Sequence, residues 1–251
     1  MAFLTTEALV LRGYELGETS KIVVLLTRDR GKLRAVARGA RGAKPRYQSA
    51  LEPLSEVKVT LYGRQGTELY RLGQADLLHS AFRAATRSLE SAMTLSSACE
   101  LLDAFCPEGE AEDKVYRLAL AVVRGAEAGA TPELLLRYLE AWLLKLHGLH
   151  PPLDQCAGCG APLGGPRLSY HRPAHGFVCG ACSPASGPVL GEAARALLVD
   201  IFRRPPESFT QAAGPEARAL EQLHRELIGA HLERDLRAPR VVREATREAA
   251  N

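Results

Sequence analysis

Four cysteines carry the most specific chemical signal in the chain. Cys156 and Cys159 form one C-x2-C knuckle and Cys179 and Cys182 a second, with nineteen residues between the two. Paired knuckles of this kind close four thiolates around one zinc ion. The flanking small residues of "CAGCG" and "CGAC" let the backbone approach the sulfurs. A rival ligand set exists: Cys156, Cys159, His171 and His175 make C-x2-C-x11-H-x3-H. That spacing needs a helix carrying both histidines, which Gly164-Gly165, Pro166 and Pro173 oppose. It would also leave Cys179 and Cys182 unused. The four-cysteine set is therefore preferred over the mixed set and over four unrelated thiols. Four protein ligands leave no position for substrate, so one structural Zn2+ is expected. Cys99 and Cys106 fall on an apolar helical face and are expected to act as small core hydrophobes.

The second signal is a run of charge. "RDRGKLRAVARGARGAKPR" holds Arg28, Arg30, Lys32, Arg34, Arg38, Arg41, Lys44 and Arg46 against the single acid Asp29. In an extended strand alternate residues share a face, so Arg28, Arg30, Lys32 and Arg34 would point one way and Leu33, Ala35 and Ala37 the other. The expected result is a cationic exterior over an apolar interior, followed by a glycine-spaced basic loop able to follow a phosphate backbone. All eight basic residues are candidates for nucleic-acid contact; the plainer alternative is a solvated charged hairpin. Tyr14, Tyr47, Tyr62 and Tyr70 lie in the same region and offer rings for unpaired bases. Each of them taken singly reads better as a core or edge tyrosine. Together with the cationic strand, they favour single-stranded nucleic acid as ligand.

Two kinds of element must position these residues. Up to about residue 80, five short β-rich runs ("ALVLRGYEL", "KIVVLLT", "KLRAVAR", "EVKVTLY" and "ELYRLGQADLL") alternate with turn formers. Five strands in so short a span predict an N-terminal OB-fold β-barrel, an architecture that commonly binds oligonucleotides. Beyond it the period lengthens to three or four. Phe82, Ala85, Leu89, Ala92, Ser96, Cys99, Leu102 and Cys106 predict one helix, ended by "PEGEAEDK". A second is expected from about Asp113 to Gly129. A third follows, with Thr131 as N-cap, Pro132 in its first turn, an apolar face of Leu135, Leu139, Trp142 and Leu146, and a stop at Gly148 and Pro151. "GEAARALLVDIFRR" and "PEARALEQLHRELIGAHLERDL" predict two more. The fold class expected is thus α+β and multidomain: an OB-fold over residues 1–79, then an α-helical domain over 80–251 with a zinc element inserted at about 151–187.

Composition narrows the functional class. The 251 residues carry a net charge of +3, but residues 1–80 hold thirteen Lys/Arg against eight Asp/Glu, so the positive excess sits in the first third. No apolar run is long enough to span a bilayer. The start lacks both an early basic residue and a small-residue cleavage site, which argues against a signal peptide. A cytoplasmic protein with reduced thiols and no membrane partner is expected. Phosphate-loop, G-x-S-x-G and H-E-x-x-H motifs are absent, and neither C-x2-C knuckle follows a proline as the P-C-x-x-C of zinc deaminases requires. No nucleophile has a base beside it in sequence, so catalytic residues are expected to be none and the protein not an enzyme.

Several of these segments resemble a known family. "ELGETSKIVVLLTRDRGKLRAVARGARGAKPR", "LEPLSEVKVTLY" and "LGQADLL" are similar to the N-terminal part of the bacterial RecO recombination-mediator family. "LLKLHGLHPPLDQCAGCG" and the later "CGAC" resemble its central region. The likeness keeps the same order over almost the whole chain. It implies an OB-fold, a helical domain and a zinc element. It further implies DNA repair and recombination activity: binding of single- and double-stranded DNA, strand annealing, and loading of RecA. The partners implied are RecR and the acidic C-terminal tail of single-stranded DNA-binding protein, with a nucleoid-associated location in the cytoplasm. Arg34, Arg38, Arg41 and Lys44 match the family's cationic N-terminal segment. Cys156, Cys159, Cys179 and Cys182 match its zinc-bearing branch, and since other members lack these cysteines, zinc is not required for annealing itself. The alternative function is an RNA-binding OB-fold and zinc-ribbon module. Competition between matched DNA and RNA oligomers separates the two.

Overall fold

The computed structural model describes residues 3–42, 47–64, 66–182 and 187–232. They fall into two compact units, one ending at Gly129 and the other beginning at Ala130. The change of sequence period near residue 80 does not coincide with the division between these units. None of the helices described is long and apolar enough to cross a membrane.

In the first unit, β1 (Phe3–Leu16), β2 (Ser20–Thr27), β3 (Gly31–Ala37), β4 (Glu56–Tyr62) and β5 (Tyr70–His79) close into a barrel of order β1-β2-β3-β5-β4. All neighbours are antiparallel except β3 and β5, which pair in parallel at Ala35–Tyr70 and Val36–Arg71. This is the five-stranded barrel that the alternating runs predict. Ala8, Val10, Val23, Leu25, Leu33, Ala35, Val57, Val59 and Leu61 fill its interior. A register shift between Val10 and Arg12 marks a bulge in β1, beyond which the strand is exposed.

The outer face of β1 and β2 is also buried. Leu9, Leu11, Val24 and Leu26 are at most 1% exposed, and α2 (Leu89–Phe105) and α3 (Asp113–Ala128) pack against β1. The helix expected over residues 82–106 is interrupted. A single turn, α1 (Phe82–Ala85), precedes α2, whose first turn is capped by Ser88 Oγ accepting from the Ser91 N–H at 3.1 Å. Phe82 and Leu89 are exposed. The buried face of α2 is instead Leu95, Ala98, Cys99, Leu101, Leu102 and Phe105. Both Cys99 and Cys106 are buried, and desolvation pushes each thiol up to about 12, consistent with inert packing groups.

The second unit contains α4 (Pro132–Leu146), α5 (Glu192–Arg203), α6 (Pro215–Leu232) and a small sheet of order β7-β6-β8, with β6 Arg167–His171, β7 Gly176–Val178 and β8 Val189–Gly191. Helix α4 starts at Pro132 as expected, but the Thr131 hydroxyl does not cap it; it donates to the Gln211 carbonyl at 2.6 Å. The helix is buried on most of its circumference, including Arg137 and Glu140. Glu140 accepts from Arg137 at 2.8 Å and pairs with His224 Nδ1 at 3.0 Å, so the buried carboxylate has a partner on its own helix and one on α6.

Candidate nucleic-acid interface and metal centre

The two cysteine knuckles converge within the second unit. The first sits between the end of α4 and β6, where the Gly160 N–H donates to Cys156 O at 2.8 Å and Cys156 N–H to Ala161 O at 2.8 Å. The second follows directly on β7, with the Cys182 N–H donating to Cys179 O at 3.0 Å. Tyr170 and Phe177, both fully buried and edge-to-face at 6.0 Å, fix the small sheet that brings the knuckles together. All four Sγ atoms of Cys156, Cys159, Cys179 and Cys182 lie within 4.8 Å of one another. Cys159 and Cys179 Sγ are 3.7 Å apart. A zinc tetrahedron with ~2.3 Å bonds has edges of about 3.8 Å, so the residues present fit a tetrahedral thiophilic cation.

The local backbone supports that fit. The Cys179 N–H donates to Cys156 Sγ at 3.2 Å, and together with further N–H groups it pulls the Cys156 thiol down to about 6. A Cβ at Gly158 would meet Cys182 Sγ at 3.2 Å, so the glycine keeps the sulfur pocket open. Cys182 faces the other thiols, Cys159 first, and is pushed up to about 12. Four thiolates at this distance need a cation between them. Neither histidine of the rival set shares a helix: His171 ends β6 and His175 adopts a left-handed conformation after a short 3-10 turn.

The basic stretch has a divided fate. Its alternation is as expected, with Leu33, Ala35 and Ala37 inside and Lys32 and Arg34 outside the barrel. The outside of the barrel is covered at this point, however. Lys32 is 9% exposed, and its ammonium donates to the Asp103 carbonyl oxygen at 2.5 Å and pairs with Asp103 Oδ1 at 3.1 Å. The expectation of a solvent-facing Lys32 is thereby corrected: α2 caps that face, and the lysine instead meets the negative end of the helix. Arg12 joins Asp103 from the other side. Arg28 pairs with Glu7 at 3.2 Å and Asp113 at 3.5 Å, Arg34 with Glu108 at 2.5 Å, and Arg41 with Glu15 at 2.9 Å. Arg30 and Arg38 are exposed without an ion pair among the described residues. Lys44 and Arg46 lie outside the described residues.

Arg38 instead borders a concavity of about 260 Å³ together with Tyr62, Arg71, Leu72, Gly73 and Gln74. The Arg71 guanidinium lies 4.9 Å from the centre of the half-buried Tyr62 ring. The parallel pairing of β3 and β5 brings these residues beside the end of the basic strand. Gly73 makes the ring position possible, since a Cβ there would fall 2.2 Å from Tyr62 Cε2. The concavity therefore offers two guanidiniums for phosphates beside an aromatic face for a base. Arg71 is absent from the basic run. Its signal was the period-two alternation of "YRLG", which turns Arg71 outward between the inward-facing Tyr70 and Leu72. Of the other tyrosines, Tyr47 and Tyr70 belong to the core, and Tyr47 Oη donates to Leu72 O at 2.9 Å. Tyr14 is exposed beneath Arg12, at 5.1 Å.

Residues 1–81 match the model "Recombination protein O N terminal" and residues 87–240 the model "Recombination protein O C terminal". The DNA repair protein RecO of Koribacter versatilis (strain Ellin345) is 34% identical over 233 residues, covering 92% of this chain and 94% of its own. That of Thermobifida fusca (strain YX) is 32% identical over 262 residues, covering 98% and 100%. The RecO of Anaeromyxobacter sp. (strain K) is 31% identical over 227 residues, covering 90% and 89%.

Proposed function

Because the chain belongs to the recombination protein O family, we propose that it is a DNA repair recombination mediator. In this reading it binds single- and double-stranded DNA, anneals complementary strands, and helps load RecA onto DNA coated with single-stranded DNA-binding protein. The observation that carries the reading is the Arg38–Tyr62–Arg71 concavity on a closed five-stranded barrel. Annealing needs no reacting side chain. A cationic surface that neutralises two phosphate backbones lowers their repulsion, and base pairing supplies the favourable free energy.

Arg38 and Arg71 supply the first contacts and Arg30, before the opposite end of β3, adds to them, with Arg28, Arg34 and Arg41 available once their carboxylate partners yield. Lys44 and Arg46 extend the same run in sequence. Lys32 supports the site from beneath, by holding β3 to α2. The metal is Zn2+, one ion held by Cys156, Cys159, Cys179 and Cys182, and its role is to fix the fold of the second unit. RecR and the acidic tail of single-stranded DNA-binding protein are the partners. An acidic, apolar tail suits a surface such as Trp142 and Phe202 beneath Lys145, whose Nζ stands 4.0 Å from the Phe202 ring centre.

The test is binding of a fluorescent single-stranded oligonucleotide by fluorescence anisotropy between 0.05 and 0.2 M salt (about twofold steps), with a matched RNA competitor. The Arg38→Ala/Arg71→Ala variant is expected to lower the salt slope by ~1.4, at about 0.7 per lost phosphate contact, and to lose strand annealing. Unchanged affinity and slope in that variant would overturn the reading. Preferential displacement by RNA would point to an RNA-binding module instead.

A further inference from the structure

The connection between α2 and α3, "CPEGEAED", is acidic and lies against the strand that carries the basic run. Its backbone is docked. The Gly109 N–H donates to Lys32 O at 3.0 Å, and Lys32 and Glu108 form a parallel bridge. Gly31 sits so close that a Cβ there would fall 1.8 Å from Glu110 O. From this docked backbone, Glu108 reaches Arg34 at 2.5 Å, and Asp113, the first residue of α3, reaches Arg28 at 3.5 Å.

We propose that the Glu108–Asp113 segment is a built-in competitor for nucleic acid, holding Arg28 and Arg34 with its carboxylates and so restricting the open binding surface to the Arg38–Arg71 side of the barrel. The inference rests on the nucleic-acid reading above. The pairs have the character of an exchangeable contact. Arg34 and Glu108 side chains are 50% and 46% exposed, and Arg28 and Asp113 are each 51% exposed. Ion pairs so open to water are weak and screened by salt. A phosphate backbone already anchored at Arg38 and Arg71 can therefore take over both guanidiniums, while the segment itself stays docked through its main chain. Glu7, the nearer partner of Arg28 at 3.2 Å, lies on β1 and remains in place, so the segment holds Arg34 more fully than Arg28. Binding is thus graded: two cations engage first, and two more become available against an internal anion.

The experiment uses the full chain and a fluorescent single-stranded oligonucleotide over a salt series. Glu108→Gln/Asp113→Asn is compared with Glu68→Gln/Glu90→Gln, which changes net charge equally at exposed positions without an ion pair among the described residues. The segment variant is expected to bind on the order of tenfold more tightly at ~0.1 M salt, with a slope steeper by ~0.7 for each guanidinium freed. The control gains less and keeps its slope. Adding Arg28→Ala/Arg34→Ala to the segment variant returns both readings to the parent values. Equal gains in the two variants, or an unchanged slope, would overturn the inference while leaving the Arg38→Ala/Arg71→Ala loss intact. Loss of the parent reading shows instead as no effect of Arg38→Ala/Arg71→Ala. Should the segment variant fail to fold, Arg28→Gln/Arg34→Gln in the parent chain decides. A much smaller loss than from Arg38→Gln/Arg71→Gln supports the competitor, and an equal loss refutes it.

Discussion

Lys32 and Asp103, seventy-one positions apart, meet at the junction of barrel and helix: the lysine ammonium holds both the Asp103 carboxylate and its main-chain carbonyl. The pair is almost wholly removed from water, at 11% and 9% side-chain exposure. Replacing Lys32 by Met leaves Asp103 with Arg12 alone. Since breaking a buried pair by deleting one member typically costs about 3 kcal/mol or more, Lys32→Met is expected to shift the urea midpoint down by an equivalent amount. Lys32→Arg is expected to restore only part, because the planar guanidinium does not reproduce the ammonium's contacts. A midpoint unchanged in Lys32→Met would show the pair to be neutral.

Gly73 offers a way to perturb the candidate interface without touching its charge. Alanine there pushes the Tyr62 ring away from its place under Arg71. Oligonucleotide affinity is expected to fall several-fold, on the scale of about 1 kcal/mol for a weakened base–ring stack, while the salt slope stays at the parent value. A lowered slope would mean that the ring matters only by positioning Arg71.

For the metal centre, Cys156→Ser or Cys179→Ser is expected to reduce bound zinc from one equivalent to near zero by elemental analysis. Urea unfolding of the second unit should become less cooperative. The Cys99→Ser variant should keep its zinc. A full equivalent of zinc in Cys156→Ser would exclude the four-cysteine set.

The second unit should be acid-sensitive through its buried histidines. Burial, then the neighbouring His224, brings His150 down to about 4 from an ordinary 6.5. His224, fully buried, is lowered as well, by desolvation first. Both are neutral when folded and gain protons more readily when unfolded. The contribution of His150 is therefore complete above about pH 6.5 and is lost as pH falls toward about 4, at ~1.4 kcal/mol per pH unit, and that of His224 falls in the same direction. His150→Asn removes one titrating group, so the stability profile of that variant should have a shallower acid limb. Identical limbs would assign the acid sensitivity elsewhere.

How much of this could be read from the sequence depended on what lay outside each element. The barrel strands were legible because their interior alternates with period two and their turns carry Gly, Asp and Ser. The four cysteines were legible because their spacing is chemistry in itself. Helix α4 was placed correctly, yet its buried Arg137 and Glu140 lie outside the apolar face read from the sequence, and His224, which pairs with Glu140, is eighty-four positions away. Lys32 misled for the same reason. Alternation gives the side of a strand, but not what covers that side. The small strands β6, β7 and β8, of three to five residues, were too short to show a period.

The double coating of β1 and β2 carries a consequence for dissecting the chain. A fragment ending at residue 81, where the N-terminal family model ends, would uncover Leu9, Leu11, Val24 and Leu26 as an oily strip with a stranded ammonium beside it. Such a piece should clump in solution even with its five strands correctly closed. A piece that runs on to Gly129 keeps α2 and α3 over that strip, so the barrel and its first helices belong in one fragment.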